Sequence, residues 1–147
     1  MALPASAYEV WQDVELHVDL SKSALALRRG ERLVDSLNSV EDSKGNAGDR
    51  GCLSVTTLRL TWVSHANPLR NLSVGWGCLA PGREGIAVKA AMSKLRGNLQ
   101  AFVVRASFRG AKFDFMFTSL VKASPRLFGV ALDVFRCVFA GDGDFFA

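Results

Sequence analysis

The chain has 147 residues, 49% of them hydrophobic and 22% charged, with a formal net charge of +4. A chain of that size suits one domain that buries about two-thirds of its unfolded surface, and the composition excludes a wholly disordered protein. No run of about 18 apolar residues occurs, which excludes a membrane-spanning helix.

The first residues, Met1 to Glu15, lack a basic start and a long apolar run, so no secretory signal is expected and a cytosolic setting follows. Residues 1–27 carry Glu9, Asp13, Glu15 and Asp19 against Lys22, a net charge of −3, while residues 28–147 carry +7. The expected organisation is an acidic extension over 1–27 packing on a domain over 28–141, then a short tail over 142–147.

Strand signals begin at 31–40. A glycine-punctuated loop follows, with Gly45, Gly48 and Gly51, and then β-rich runs at Leu53–Val55 and Leu58–Val63, where Leu58, Leu60 and Trp62 share a face. Leu69–Trp76 alternates Leu72, Val74 and Trp76 against Asn71 and Ser73. Gly75, Gly77 and Ala80 fit a G-x-G-x-x-A pattern, but Pro81-Gly82 follows where a dinucleotide site needs a helix to begin, so the match is rejected. Strand character is weaker over 84–91 and strong over Leu99–Ala106. Phe113, Phe115 and Phe117 then alternate with polar residues, and Arg109-Gly110 between these two strands reads as a hairpin turn.

The period changes near the C-terminus. Ser124 is a good N-cap and Pro125 suits the first helical position. Leu127, Ala131, Val134 and Val138 follow at helical spacing, flanked by Phe128, Phe135 and Phe139, with Gly141 able to close the helix. A helix this apolar must cover something. The predicted fold is therefore mainly β: a seven-stranded antiparallel barrel or sandwich capped by one C-terminal α-helix.

Cys52, Cys78 and Cys137 are odd in number and widely spaced, and with only His17 and His65 beside them no zinc site assembles; all three read as buried small hydrophobes. His65 precedes Asn67-Pro68 and reads as a turn residue, and Glu41 and Asp42 are chain neighbours that point apart. No nucleophile, base and orienting group combine, so the chain is expected not to be an enzyme and to need no cofactor and no small-molecule substrate. The phenylalanine stripe reads as core rather than a base-stacking platform, so no nucleic-acid partner is expected.

One segment is electrically one-sided. Between Glu84 and Asp114 there is no acid, while Lys89, Lys94, Arg96, Arg105, Arg109 and Lys112 are all basic, so these six are candidates for contact with an acidic protein surface.

The blocks Ser39-Val40-Glu41-Asp42-Ser43-Lys44-Gly45-Asn46-Ala47-Gly48-Asp49-Arg50-Gly51, Leu53-Ser54-Val55-Thr56-Thr57-Leu58-Arg59-Leu60-Thr61-Trp62 and Ser93-Lys94-Leu95-Arg96-Gly97 resemble, in order, the first pleckstrin-homology-like domain of the Bardet–Biedl syndrome 5 family. The resemblance runs from about Trp11 to Phe139. It implies a pleckstrin-homology-like barrel and a non-catalytic adaptor role in ciliary protein transport within the BBSome, at the cilium or flagellum and its base, on the cytoplasmic side. It implies other BBSome or ciliary subunits as partners, with an anionic phosphoinositide membrane as a further candidate. The alternative is a structural interaction subunit of an axoneme or transport assembly that binds no lipid. Family members carry two such domains and a further C-terminal region, so a single-domain or truncated form is expected. In lipid-binding pleckstrin-homology domains the first hairpin loop grips phosphate, which makes Lys44, Arg50 and Arg59 the lipid-binding candidates. Residues 41–50 nevertheless sum to −1, because Glu41, Asp42 and Asp49 lie beside those bases. A structural loop is therefore favoured over a phosphate cradle.

Overall fold

The computed structural model describes residues 12–43, 49–81, 84–93, 97–120 and 126–140. Lys44, Lys94, Arg96, Ser124, Pro125 and Gly141 lie outside the described residues.

Eight strands form one antiparallel sheet: β1 (Leu16–Val18), β2 (Leu33–Asp42), β3 (Asp49–Thr56), β4 (Arg59–Ser64), β5 (Asn71–Gly75), β6 (Ile86–Ser93), β7 (Gly97–Phe108) and β8 (Ala111–Ser119). Their spatial order is β1-β5-β4-β3-β2-β8-β7-β6. One helical turn, α1 (Lys22–Leu25), precedes β2, and the helix α2 (Arg126–Ala140) follows β8. Among the described residues the strand count is thus eight rather than seven. The additional strand, β1, pairs antiparallel with β5, matching Leu16 to Val74 and Val18 to Leu72.

The strand ladder does not close: among the described residues β1 and β6 are its two ends. The chain after β5 stitches the curled sheet instead. Trp76–Cys78 forms a single 3₁₀ turn. Leu79 then bridges to Ala106, and the Ala80 N–H donates to the Arg105 carbonyl at 3.0 Å.

The alternation seen in the chain sets which face is inside. Trp62, Phe102 and Phe117 are fully buried, together with Leu53, Leu60, Val74 and Val104. Phe113, Phe115 and Phe117 stack in a row at centroid spacings of 6.4 and 6.3 Å along the core face of β8. Buried indoles keep their N–H satisfied: Trp62 donates to the Val40 carbonyl at 3.1 Å and Trp76 to the Thr56 carbonyl at 2.9 Å. α2 lies across β2, β3, β6 and the 3₁₀ turn, as the plugging helix should. Its Leu127, Phe128, Ala131 and Phe135 enter the core, with Phe128 stacked on Phe102 at 5.1 Å.

The β7–β8 hairpin closes through Arg109-Gly110. Phe108 pairs with Ala111, and the two loop residues have φ of 52° and 80°, the positive pair that a type I′ turn requires.

The glycines rejected as a nucleotide fingerprint have another use. A Cβ on Gly75 would overlap the Asp13 backbone carbonyl, and one on Gly77 would lie 2.7 Å from the Val14 side chain. The N-terminal segment runs directly over them: Gly75 N–H donates to Glu15 O at 2.9 Å and Gly77 N–H to Asp13 O at 2.8 Å. Asp13 in turn holds Arg28 at 2.7 Å.

Candidate functional site

On the outer face of β4 and β5, Arg59, Thr61, Asn71 and Ser73 are covered, not solvated. Asn71 and Ser73, the polar side of the β5 alternation, are both buried. Asn71 accepts from Leu20 N–H and donates to Leu20 O, each at 2.8 Å, so the chain before α1 is fastened to β5 by one amide side chain.

Beneath α1 lies Arg59, and here the expectation from the family resemblance is corrected. Arg59 and Glu31 have side chains at 0% exposure, with Nε 2.9 Å from Oε2. The guanidinium also donates to Ser73 Oγ at 3.1 Å and to the carbonyls of Ala24, Leu25 and Ala26 at 3.3, 3.1 and 3.0 Å. It cannot meet a lipid headgroup, because its donors are spent inside the protein. Its strand position places it opposite the core face, where N-terminal residues have covered it. Burial pushes the Glu31 carboxyl up. Hydrogen bonds from Arg59, then from Thr56 and the Arg28 amide, outweigh that and hold it below its ordinary 4.5.

The first hairpin loop retains one described lipid candidate, Arg50, which is exposed and lies directly across the strand pair from Glu41. At its base Asp49 accepts from Ser64 Oγ at 2.6 Å and from Arg70 Nη1 at 2.7 Å. These two partners hold the Asp49 carboxyl below the usual carboxylate range, so it stays anionic beside Arg50. A headgroup phosphate arriving here meets two carboxylates as well as the bases.

The acid-free segment forms the other sheet flank. Lys89 on β6, Arg105 on β7 and Lys112 on β8 are exposed, as is Arg109 at the hairpin tip. Register places Arg105 opposite Asp114, and Lys112 opposite Ser107, on the outer face. Arg105 is 61% exposed on its side chain and stands 3.6 Å from Asp114. Arg105 and Lys112, but not Lys89 or Arg109, border an open cleft of about 300 Å³ lined also by Ala80, Glu84, Ser107 and Asp114. Mixed charge around a shallow concavity suits the seating of charged side chains from another protein. Arg109 lies over the Phe108 ring at 5.1 Å, and His17 of β1 meets the other end of that contact edge-on at 5.8 Å. The hairpin tip is therefore pinned against the first strand.

Cysteine placement differs among the three. Cys78 is buried, Cys52 half-buried and Cys137 exposed on α2, which corrects the expectation of three buried thiols. Burial raises the Cys78 thiol to about 11. In the native protein an alkylating reagent at pH 8 is expected to label Cys137 and leave Cys78 intact until denaturant is added. Mass spectrometry of the labelled peptides checks this, and prompt labelling of Cys78 would contradict the packing described.

Comparison with known proteins agrees with this architecture. Residues 31–138 match the family described as Bardet-Biedl syndrome 5 protein N-terminal PH-like domain. BBSome complex member BBS5 of Homo sapiens is 43% identical over 127 residues, covering 86% of this chain and 36% of that protein. The protein of the same name from Xenopus laevis is also 43% identical, covering 86% of this chain and 34% of that protein. BBSome complex member bbs-5 of Caenorhabditis elegans is 35% identical over 132 residues, covering 87% and 36%. The chain thus spans about a third of the length of these relatives. Among solved structures the Vps36 N-terminal PH domain superposes with a TM-score of 0.57 at 20% identity, covering 88% of this chain and 96% of that one, a likeness of fold. With its strand order, terminal helix and more than a hundred consecutive matched positions, the chain belongs to the family of Bardet–Biedl syndrome 5 N-terminal pleckstrin-homology-like domains.

Proposed function

We propose that the chain is a non-catalytic docking module of a BBSome-type ciliary assembly, meeting an acidic protein surface through Lys89, Arg105, Arg109 and Lys112. Its relatives are named as BBSome complex members. The observation that carries the choice of surface is the exposed basic flank of β6–β8, with its cleft of about 300 Å³. The contrasting state of the first loop supports protein over lipid: Arg59 is spent on Glu31, and Arg50 sits among carboxylates. Each base near an anionic membrane is worth about 1 kcal/mol, too little from Arg50 for stable attachment.

The test is reconstitution with the remaining BBSome subunits. Reversing both cleft bases, Arg105→Glu with Lys112→Glu, is expected to lower co-purification about tenfold, the scale of a few rim and cleft charges. Reversing Arg50 is expected to leave it unchanged. Sedimentation with phosphoinositide-containing liposomes runs in parallel. Strong binding lost on Arg50→Glu, with assembly indifferent to Arg105 and Lys112, would replace this reading by the lipid one.

A further inference from the structure

The end of the sheet at β6 is an open edge among the described residues. The Arg105 N–H donates to the Gly85 carbonyl at 2.8 Å. Register runs from Ile86 opposite Val104 to Ser93 opposite Gly97. In an antiparallel ladder, hydrogen-bonded pairs alternate, so odd-numbered residues of β6 turn their peptide groups to β7. Ile86, Val88, Ala90 and Met92 therefore direct theirs away from the sheet, where the described residues place no strand. This edge is eight residues long, whereas the opposite edge, β1, has three.

The two faces beside the edge differ in chemistry. Direct partners across a strand pair share a face. Val88, opposite the buried Phe102, therefore lies on the core side, yet it is 37% exposed while Ile86 on the same face is 3%. Lys89, opposite Ala101, lies on the outer side with Arg105. A chain laid along β6 would thus meet an uncovered apolar side chain on one face and an ammonium on the other.

We propose that β6 accepts an extended segment of a partner protein as a ninth strand, one that alternates apolar and acidic residues. Its apolar residues cover Val88 and its carboxylates face Lys89, while main-chain bonds to Val88 and Ala90 supply the ladder. Charge argues against a second copy as the occupant. Two antiparallel β6 strands centred on one another would set Lys89 against Lys89, and like charges directly opposed are destabilising. The proposal rests on the docking reading above and adds the mode of attachment and the partner's pattern.

The test uses the full chain and a nine-residue peptide of alternating valine and glutamate, with an alternating valine and lysine peptide as control. The valine–glutamate peptide is expected to slow hydrogen exchange at the Val88 and Ala90 amides about tenfold. Ala90→Pro removes one outward N–H at an exposed edge position, where proline is tolerated, and is expected to weaken binding about tenfold with circular dichroism unchanged. Lys89→Glu is expected to transfer the preference to the lysine peptide. That exchange carries the test alone should the proline variant not fold. Binding that ignores Ala90→Pro in a folded variant, absence of binding, protection elsewhere, or a concentration-dependent dimer that protects the same amides would each overturn the proposal. Assembly sensitive to Arg105 and Lys112 but indifferent to Ala90→Pro would leave the basic-face reading standing and remove strand addition alone.

Discussion

Replacing Arg59 by alanine is expected to cost about 3–5 kcal/mol, because it leaves Glu31 as an uncompensated buried charge. For a domain of this size that lowers the thermal midpoint by on the order of 10 °C. The loss has two parts, since the guanidinium neutralises Glu31 and also satisfies three consecutive carbonyls at Ala24, Leu25 and Ala26. The joint variant Glu31→Met, Arg59→Met removes the charges together and is expected to regain only part of the stability, because those carbonyls still lose their donor. The acid limb carries the same signature. A carboxyl whose folded pKa is depressed contributes its full stabilisation above its unfolded value and loses it as pH falls through the folded value. Glu31's contribution is therefore complete above about 4.5 and fades below that, and Glu31→Gln should flatten the stability profile in that window. Calorimetry across pH 2–7 measures both effects; an unchanged midpoint in Arg59→Ala would refute the buried pair.

Gly75→Ala is expected to be nearly as damaging although it adds one carbon. The new Cβ would occupy the place of the Asp13 carbonyl, so the N-terminal segment must lift from β5. Two main-chain bonds and the Asp13–Arg28 pair go with it, a loss of about 2–4 kcal/mol. Limited proteolysis should then cut within residues 12–27 faster than in the parent protein. Gly129→Ala on α2 is the contrasting control: a Cβ there meets open space, and the helix should gain about 0.5–1 kcal/mol. If Gly75→Ala behaves like Gly129→Ala, the N-terminal segment does not sit where the structure has it.

Those two sites mark where sequence reading failed and why. Period-two alternation exposes a strand's core face, and it located the phenylalanines of β8; helical spacing placed Leu127, Phe128, Ala131 and Phe135 of α2 inside, and the Arg109-Gly110 turn followed from its place between two strands. Alternation is silent about what covers the other face. Arg59, Asn71 and Ser73 look solvated because polar residues on a strand usually are. Here residues 20–31, distant in the chain, bury them, and no local pattern announces that contact. β1 escaped notice for a related reason: three residues give too short a run to show a period, and its strand character comes from pairing with β5. The basic flank was legible because charge composition needs no geometry. Its edge was not, since which strand ends a sheet depends on topology.

The Leu20–Asn71 fastening spans 51 residues of chain. During synthesis β1 leaves the ribosome well before β5 exists to receive it. Closing so long a loop is entropically costly until β3, β4 and β5 have assembled the socket. The earliest-made described residues are thus the ones that must wait, and the sheet's first strand by number is a late arrival by time.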